Sequence, residues 1–256
     1  MTARTPPVAV VTPVYGNQGT LSELARRIAV AMGDRPWRLR LVVDASPDAS
    51  EEVARRLAQA DDRVGVTSLT VNQGQHAALR RGLEDEPDAS AWVCIDADLQ
   101  DPPEALPLLL DRLAAGDVGA VFAGRAGHYE GRARLATGRL HRIALGRLTG
   151  LPTDAGAFVA LGGDARDAVL RLRGPSIVAA VGVAGVGTAS VTVPRFPRPL
   201  GQSAWTTGTR ARQSVRTLAW AARRRLIYRE RGREGAGDGR SDSAPAVTQR
   251  WRSTSA

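Results

Sequence analysis

The sequence predicts an α/β protein built on a mainly parallel, Rossmann-like sheet with helices on both faces. Two observations carry this. Short apolar runs alternate with longer helical patterns through the first 125 residues, as in a chain of βα units. Polar residues then follow four successive apolar runs, as expected where strands all end on one side and line one crevice.

The elements follow in order. Val8 to Thr12 reads as a strand, and 20–32 as a helix with Leu21, Leu24, Ile28 and Met32 at helical spacing. Leu39 to Val43 is the next strand, with a helix over 50–60 carrying Val53 and Leu57. Val64 to Val71 reads as a strand and 75–83 as a helix; the apolar stretch before Asp96 is the fourth strand, and 104–115 its helix. Val118 to Ala123 is a fifth strand. Beyond it lie a basic amphipathic helix over 132–149, a short apolar run after Phe158 and a helix near 164–172. An apolar, Gly-rich stretch at 177–187, a strand over 188–196, a loop over 198–205 and a final helix over 209–228 complete the pattern. From Arg229 onward Gly, Ser, Arg and Asp dominate, which predicts disorder. The expected organisation is a catalytic domain over 1–207, a basic amphipathic helix over 208–228 and a disordered basic tail over 229–256.

Composition narrows the classes. No stretch approaches 18 uninterrupted apolar residues, so no spanning helix is expected. The N-terminus lacks the pattern of a cleaved signal, and the lone Cys94 cannot form an internal disulfide, so a reducing cytoplasm is expected. Residues 1–205 carry 23 Arg against 22 acidic residues, and residues 206–256 carry 12 against 4, so the net charge of +9 falls mostly in the tail. A basic face interleaved with aromatics is not apparent, and no nucleic-acid partner is expected. None of His76, His128 and His141 has ligand spacing with another His or Cys.

The most informative stretch is Trp92-Val-Cys-Ile-Asp-Ala-Asp-Leu-Gln-Asp-Pro-Pro-Glu104. An apolar run delivers Asp96 and Asp98 to a strand end, with Gln100 and Asp101 just beyond. Two carboxylates and a carboxamide at alternate positions are hard oxygen ligands suited to Mg²⁺ or Mn²⁺, which take further ligands from waters and substrate phosphates. A plain polar turn, with Asp101 capping the helix opened by Glu104, is the alternative.

These residues stand in an order with Pro13-Val14-Tyr15, Asp44-x-Ser46-Pro47-Asp48, Asn72-x-Gly74-x-x-Ala77, Gly124-Arg125, Asp154-x-Gly156-x-Phe158 and Arg198-x-x-Gly201-x-Ser203-x-Trp205. The set resembles the family 2 inverting glycosyltransferases of GT-A fold, and within them the polyprenyl-phosphate sugar transferases, over roughly residues 8–220. The resemblance implies a hexosyltransferase-type enzyme with a nucleotide-diphosphate sugar as donor. Pro13, Tyr15, Asp44 and Asp96 would bind the donor, and Asp96, Asp98 and Gln100 would hold the metal. Arg198 and Ser203 would lie on a loop closing over the diphosphate, and Arg125, Arg134 and Arg139 would face the acceptor. The family usually has an acidic residue where this chain has Val43, and often one shortly after the Tyr, where Gly16-Asn17-Gln18 stands here. Bacterial relatives often carry two C-terminal membrane helices, absent from this sequence.

Two acceptors fit. A polyprenyl phosphate is already ionised and needs cations, Arg125 first among them. A hydroxyl of a small molecule, such as a secondary metabolite, needs a base, for which Asp154 is the candidate. The catalytic set is therefore Asp154, Arg125 and Arg198. The final helix also has two readings. Trp220, Leu226, Ile227 and Tyr228 with Arg223, Arg224 and Arg225 would give peripheral contact with the inner face of the membrane; alternatively the helix packs on the domain.

Overall fold

The computed structural model describes residues 5–126, 132–198, 207–235 and 248–250, with side chains described except at 125–139, 207, 209–210 and 226–250. The first half is β1 (Val8–Val14), α1 (Leu21–Met32), β2 (Trp37–Asp44), α2 (Ser50–Ala60), β3 (Val64–Leu69), α3 (Gln75–Asp85) and β4 (Ala91–Cys94). A single 3-10 turn (Pro103–Ala105) leads into α4 (Leu106–Ala114), then β5 (Ala120–Ala126), α5 (Arg132–Thr149), β6 (Val159–Leu161), α6 (Gly163–Leu172), α7 (Ile177–Ala184), β7 (Thr188–Pro194), α8 (Thr207–Gly235) and β8 (Thr248–Arg250).

The strands form one sheet in the order β3-β2-β1-β4-β6-β5-β7-β8. All neighbours are parallel except β6, which runs antiparallel to both β4 and β5. Helices cover both faces. Leu21, Leu24 and Ile28 of α1 and Leu106 and Leu109 of α4 bury one face with Val10, Leu41 and Val93. Leu79 and Leu83 of α3, Val169 of α6 and Ile177 of α7 bury the other with Val11, Phe122 and Val159. The expected α/β class and the βα alternation are both observed.

Some elements differ from their sequence reading. The 177–187 stretch forms α7, whose Ser176 hydroxyl accepts from Ala179 N–H at 3.4 Å. Its faces are almost all apolar because it is buried all round, so no helical period was visible. β5 runs to Ala126, past the predicted end at Ala123, so Arg125 is its penultimate residue, in register with Val193. α8 continues to Gly235, past the predicted end at 228, because Arg and Glu at 229–234 sustain a helix without an apolar face. Three tail residues, Thr248–Arg250, add a parallel edge strand to β7. The reading of 229–256 as wholly disordered is corrected at those two places; 236–247 and 251–256 lie outside the described residues.

Glu86, buried after α3, accepts from Arg40 of β2 at 2.6 and 2.9 Å, and its carbonyl accepts from the Trp92 indole. Cys94 is fully buried in β4, and burial pushes its thiol well above the ordinary pKa.

Candidate active site

The sheet order reverses direction between β1 and β4, and at such a switch point the loops leaving adjacent strands part and open a crevice. β1 reaches it through Pro13, a residue normally excluded from central strands. Ile95 N–H bonds to Val11 C=O, so alternate β1 residues address β4. The missing N–H of Pro13 thus falls on that side, where the β1–β4 ladder has already stopped at Val11 and Cys94. Tyr15 follows, 40% exposed at the crevice rim.

The loop after Tyr15 is held by the end of β2. Gly16 N–H donates to Ser46 Oγ at 2.8 Å, Asn17 N–H to Ser50 Oγ at 2.9 Å, and Gln18 N–H to Asp48 Oδ2 at 3.1 Å. Burial works against the charged form of Asp48, but donation from Ser46, Ser50 and two backbone N–H groups outweighs it and lowers the pKa. Ala45 takes a left-handed conformation (φ 50°), a strained choice for a residue with a Cβ, between the strand and this network.

Asp44 is buried, and its two carboxylate oxygens accept from Gln73 N–H and Gly74 N–H, each at 2.7 Å. It therefore holds the turn that starts α3, placing negative charge at that helix's N-terminus. Both oxygens expected to contact the donor are thus engaged by backbone N–H groups. Val43 is buried in the core.

The end of β4 delivers the central carboxylates. Asp96 accepts from the Gln75 amide at 2.7 Å. Asp98, 6% exposed, accepts from Gln100 N–H at 3.1 Å and from Arg198 Nη2 at 2.7 Å. Leu99 between them is left-handed (φ 58°), and this bend sets Asp98 and Gln100 on one short turn. Gln100 Oε1 accepts from Arg195 Nη2 at 2.9 Å, and the backbones of Gln100 and Phe196 are bonded at 2.9 Å. Asp101 does not cap the next helical turn, whose N-cap position is Pro102 and which has no side-chain cap; it is buried 3.8 Å from Arg195 Nε. Thr20 Oγ1 donates to Ala97 C=O at 2.7 Å and ties the β1 and β4 loops together.

Asp154 stands before β6, at the same edge. Its Oδ2 accepts from Ser190 Oγ of β7 at 2.8 Å. Gly124 of β5 makes room for the pair: a Cβ there would lie 2.0 Å from Asp154 Oδ2 and 2.5 Å from Ser190 Oγ. Ser203 and the side chains of Arg125, Arg134 and Arg139 lie outside the described residues.

The structure pairs Asp98 with Arg198 and sets Gln100 on the same turn, while Asp96, two residues before Asp98, is engaged by Gln75. Gln75, Arg195 and Ser190 were not foreseen, since their bonds cross between elements that no local spacing links. Among the described residues no three His, Cys, Asp or Glu side chains cluster as a metal cage. Two carboxylates beside one amide still fit Mg²⁺ or Mn²⁺, which take one or two carboxylates and complete their shell with water and phosphate. Asp98 is already matched to a cation, the Arg198 guanidinium.

α8 packs on the domain. Gln213 donates to Pro175 C=O at 2.6 Å, Thr217 and Ala221 are buried, and Arg225 donates to the carbonyls of Arg147 and Leu148 at the end of α5. Trp220 lies over Gly174, where a Cβ would come within 2.6 Å of its ring, so this aromatic is committed to the fold. Leu226, Ile227 and Tyr228 have no described side chains. No helix among the described residues is long and apolar enough to cross a membrane.

Comparison with known proteins agrees with this architecture. The family model described as glycosyl transferase family 2 matches residues 9–161. An undecaprenyl-phosphate 4-deoxy-4-formamido-L-arabinose transferase of Pseudomonas aeruginosa (strain LESB58) is 38% identical over 149 residues, 56% of this chain and 43% of that protein. A protein of the same description from Salmonella paratyphi B is 38% identical over 112 residues, 43% of this chain and 34% of that protein. The chain therefore spans less than half the length of these curated relatives. Among solved structures, glucosyl-3-phosphoglycerate synthase of Mycobacterium tuberculosis, in complex with Mn²⁺, uridine diphosphate and glucosyl-3-phosphoglycerate, superposes with a TM-score of 0.62 at 19% identity, covering 86% of this chain and 80% of that one. Mannosyl-3-phosphoglycerate synthase of Rubrobacter xylanophilus gives 0.57 at 18% identity, covering 94% and 79%.

Proposed function

The chain belongs to glycosyl transferase family 2, and from that premise we propose that it moves a sugar, with inversion, from a nucleotide diphosphate to a polyprenyl phosphate. The observation that carries this reading is the pairing of Asp98 with Arg198 beyond the end of β4, two residues after Asp96. A leaving diphosphate gathers negative charge as the anomeric bond breaks, and cations fixed beforehand stabilise it where it develops. Asp96 and Asp98, with Gln100 beside them, would hold a divalent ion, Mg²⁺ or Mn²⁺, which would supply positive charge against the leaving diphosphate. Arg198 would exchange Asp98 for the diphosphate, and Arg195 would keep Gln100 oriented. Tyr15 and the loop fastened by Asp48 would line the base and ribose. Asp44 would hold the α3 turn against them.

The lipid-phosphate acceptor is supported by the undecaprenyl-phosphate relatives and by its chemistry. A phosphate oxygen is ionised near neutral pH, so transfer to it needs no strong base. One observation favours a second reading. Asp154 is oriented by Ser190 at the same sheet edge, as a base for a hydroxyl acceptor would need to be.

The test is a panel of sugar nucleotides with Mn²⁺ or Mg²⁺, scored by donor hydrolysis and by transfer to a short prenyl phosphate. Transfer that persists in Asp154→Asn supports the phosphate acceptor. Transfer only to hydroxyl compounds, lost in that variant, supports the second reading. No donor turnover under any condition would remove both.

A further inference from the structure

A cavity of about 880 Å³ opens between the start of α3, the α6–α7 turn and α8. Its walls carry Arg80, Arg173, Arg216, Arg223 and Arg224, with Trp220 among them. Elsewhere on the domain many arginines are matched to carboxylates, as with Arg26 and Glu23, Arg55 and Glu51, Arg81 and Asp85, and Arg112 and Asp117. Among the described residues no ion pair joins any of the five cavity arginines to a carboxylate. Three of them come from the segment that reads in sequence as a basic appendage, so part of the tail's charge stands on the folded body.

Several groups here lack partners. The Arg80 guanidinium donates to Gly174 C=O, yet its Nε is buried and unbonded. Burial, opposed by Glu84 and reinforced by Arg173, lowers the Arg80 pKa. His76 Nδ1 is also buried and unbonded. Gln75 and His76 belong to the first turn of α3, where backbone N–H groups have no intrahelical acceptor. Five guanidinium groups and an orphaned imidazole on one concave wall form a receptor for a compact anion with several acceptor oxygens, beside a helix start whose leading N–H groups are already taken by Asp44. Guanidinium groups match phosphate bidentately, and a recessed basic cleft focuses the field on one ligand.

We propose that the α3–α8 cavity is a binding site for a phosphate monoester, separate from the donor crevice. The inference does not depend on sugar transfer. It does place the ligand next to the donor site, because Gln75 at the cavity wall also bonds to Asp96. The monoester has two physical sources, a soluble phosphorylated compound or a lipid headgroup, and both present the same chemistry.

The experiment compares the full chain with Arg216→Gln/Arg223→Gln, two exposed positions on α8 whose replacement leaves the core untouched. Binding is measured calorimetrically with glycerol 3-phosphate, and by co-sedimentation with phosphatidylcholine vesicles containing phosphatidic acid. The double variant, with an unchanged thermal melt, is expected to bind by about tenfold or more less tightly. The charge reversal Arg216→Glu/Arg223→Glu should deepen that loss. Binding of the soluble monoester supports a small-molecule source, and binding of vesicles alone supports a lipid source, provided the variants lose it. Equal binding by wild type and both variants, or no binding of either probe, overturns the proposal. So does displacement of glycerol 3-phosphate by uridine diphosphate with a one-to-one stoichiometry, which would put the anion in the donor crevice.

Discussion

Arg198 Nη2 lies 2.7 Å from Asp98 Oδ2, so the cation entering from the β7–α8 connection and the carboxylate leaving β4 are each other's partners. Both side chains are largely buried, with exposures of 26% and 9%, so neither charge is well solvated. Any cation that takes Asp98 must displace or share this guanidinium.

Removing the guanidinium should therefore separate metal binding from catalysis. Arg198→Ala is expected to bind Mn²⁺ more tightly without donor, read by the loss of free-ion signal in spin-resonance titration. Its sugar transfer is expected to fall by about 10²–10³-fold. Asp98→Ala should abolish transfer. Undiminished turnover there would sink the metal assignment, and unchanged Mn²⁺ affinity in Arg198→Ala would sink the competition.

Gly124→Ala should disturb Asp154 without touching the metal side. The added methyl meets Asp154 Oδ2 at 2.0 Å, so the Ser190–Asp154 bond must break or β5 must shift. A loss of about 1–3 kcal/mol follows from overpacking. Denaturant unfolding measures it, and Ser190→Ala should relieve part of the cost by removing one of the two clashing groups. An unaltered midpoint in Gly124→Ala would contradict the geometry.

Glu86→Ala tests the interior pair. Arg40 is 23% exposed and Glu86 only 6%, so the arginine left behind can recover some hydration but not all. The expected cost is about 2–3 kcal/mol, toward the lower end for breaking a buried pair. For a chain this long that corresponds to a fall in Tm of about 4–12 °C by calorimetry. Glu86→Gln, which keeps an acceptor, should lose less.

His76 gives the fold a pH dependence of known sign. Burial, reinforced by Arg80, lowers its pKa to about 4, against an ordinary value of 6.5. Below pH 6.5 the unfolded chain takes up a proton that the native chain does not accept until near pH 4. The neutral ring's contribution is thus full above 6.5 and lost as pH falls through that window. The residue as a whole is only half-buried, so the loss is on the order of 1–2 kcal/mol. Urea unfolding at pH 7 and pH 4.5 should show a smaller difference for His76→Gln than for the wild type.

The parallel half of the sheet was legible because each of its strands ends in a break and each helix shows one apolar face. Leu21, Leu24, Ile28 and Met32 are all buried as their spacing predicts. Asp96 and Asp98 were legible for the same reason, since a strand end is a local signal. The hidden parts depend on pairings distant in sequence. Nothing near Gln75 tells that its amide meets Asp96, and nothing near Arg195 tells that it holds Gln100. Asp44 has the residue type of a ligand contact, yet its oxygens are engaged by the α3 turn. The basic cavity was invisible because its arginines come from three separate segments.

The seclusion of Cys94 makes the protein a ready host for site-directed labels. Its thiol is the only one in the chain and lies inside the sheet, where burial suppresses the reactive thiolate. A cysteine introduced at an exposed position such as Val71 or Val215 would carry a fluorophore or spin label with the native thiol left in place. Pairs of such labels would report the separation of α8 from the loop before α3 in solution, and any change as a phosphorylated compound arrives.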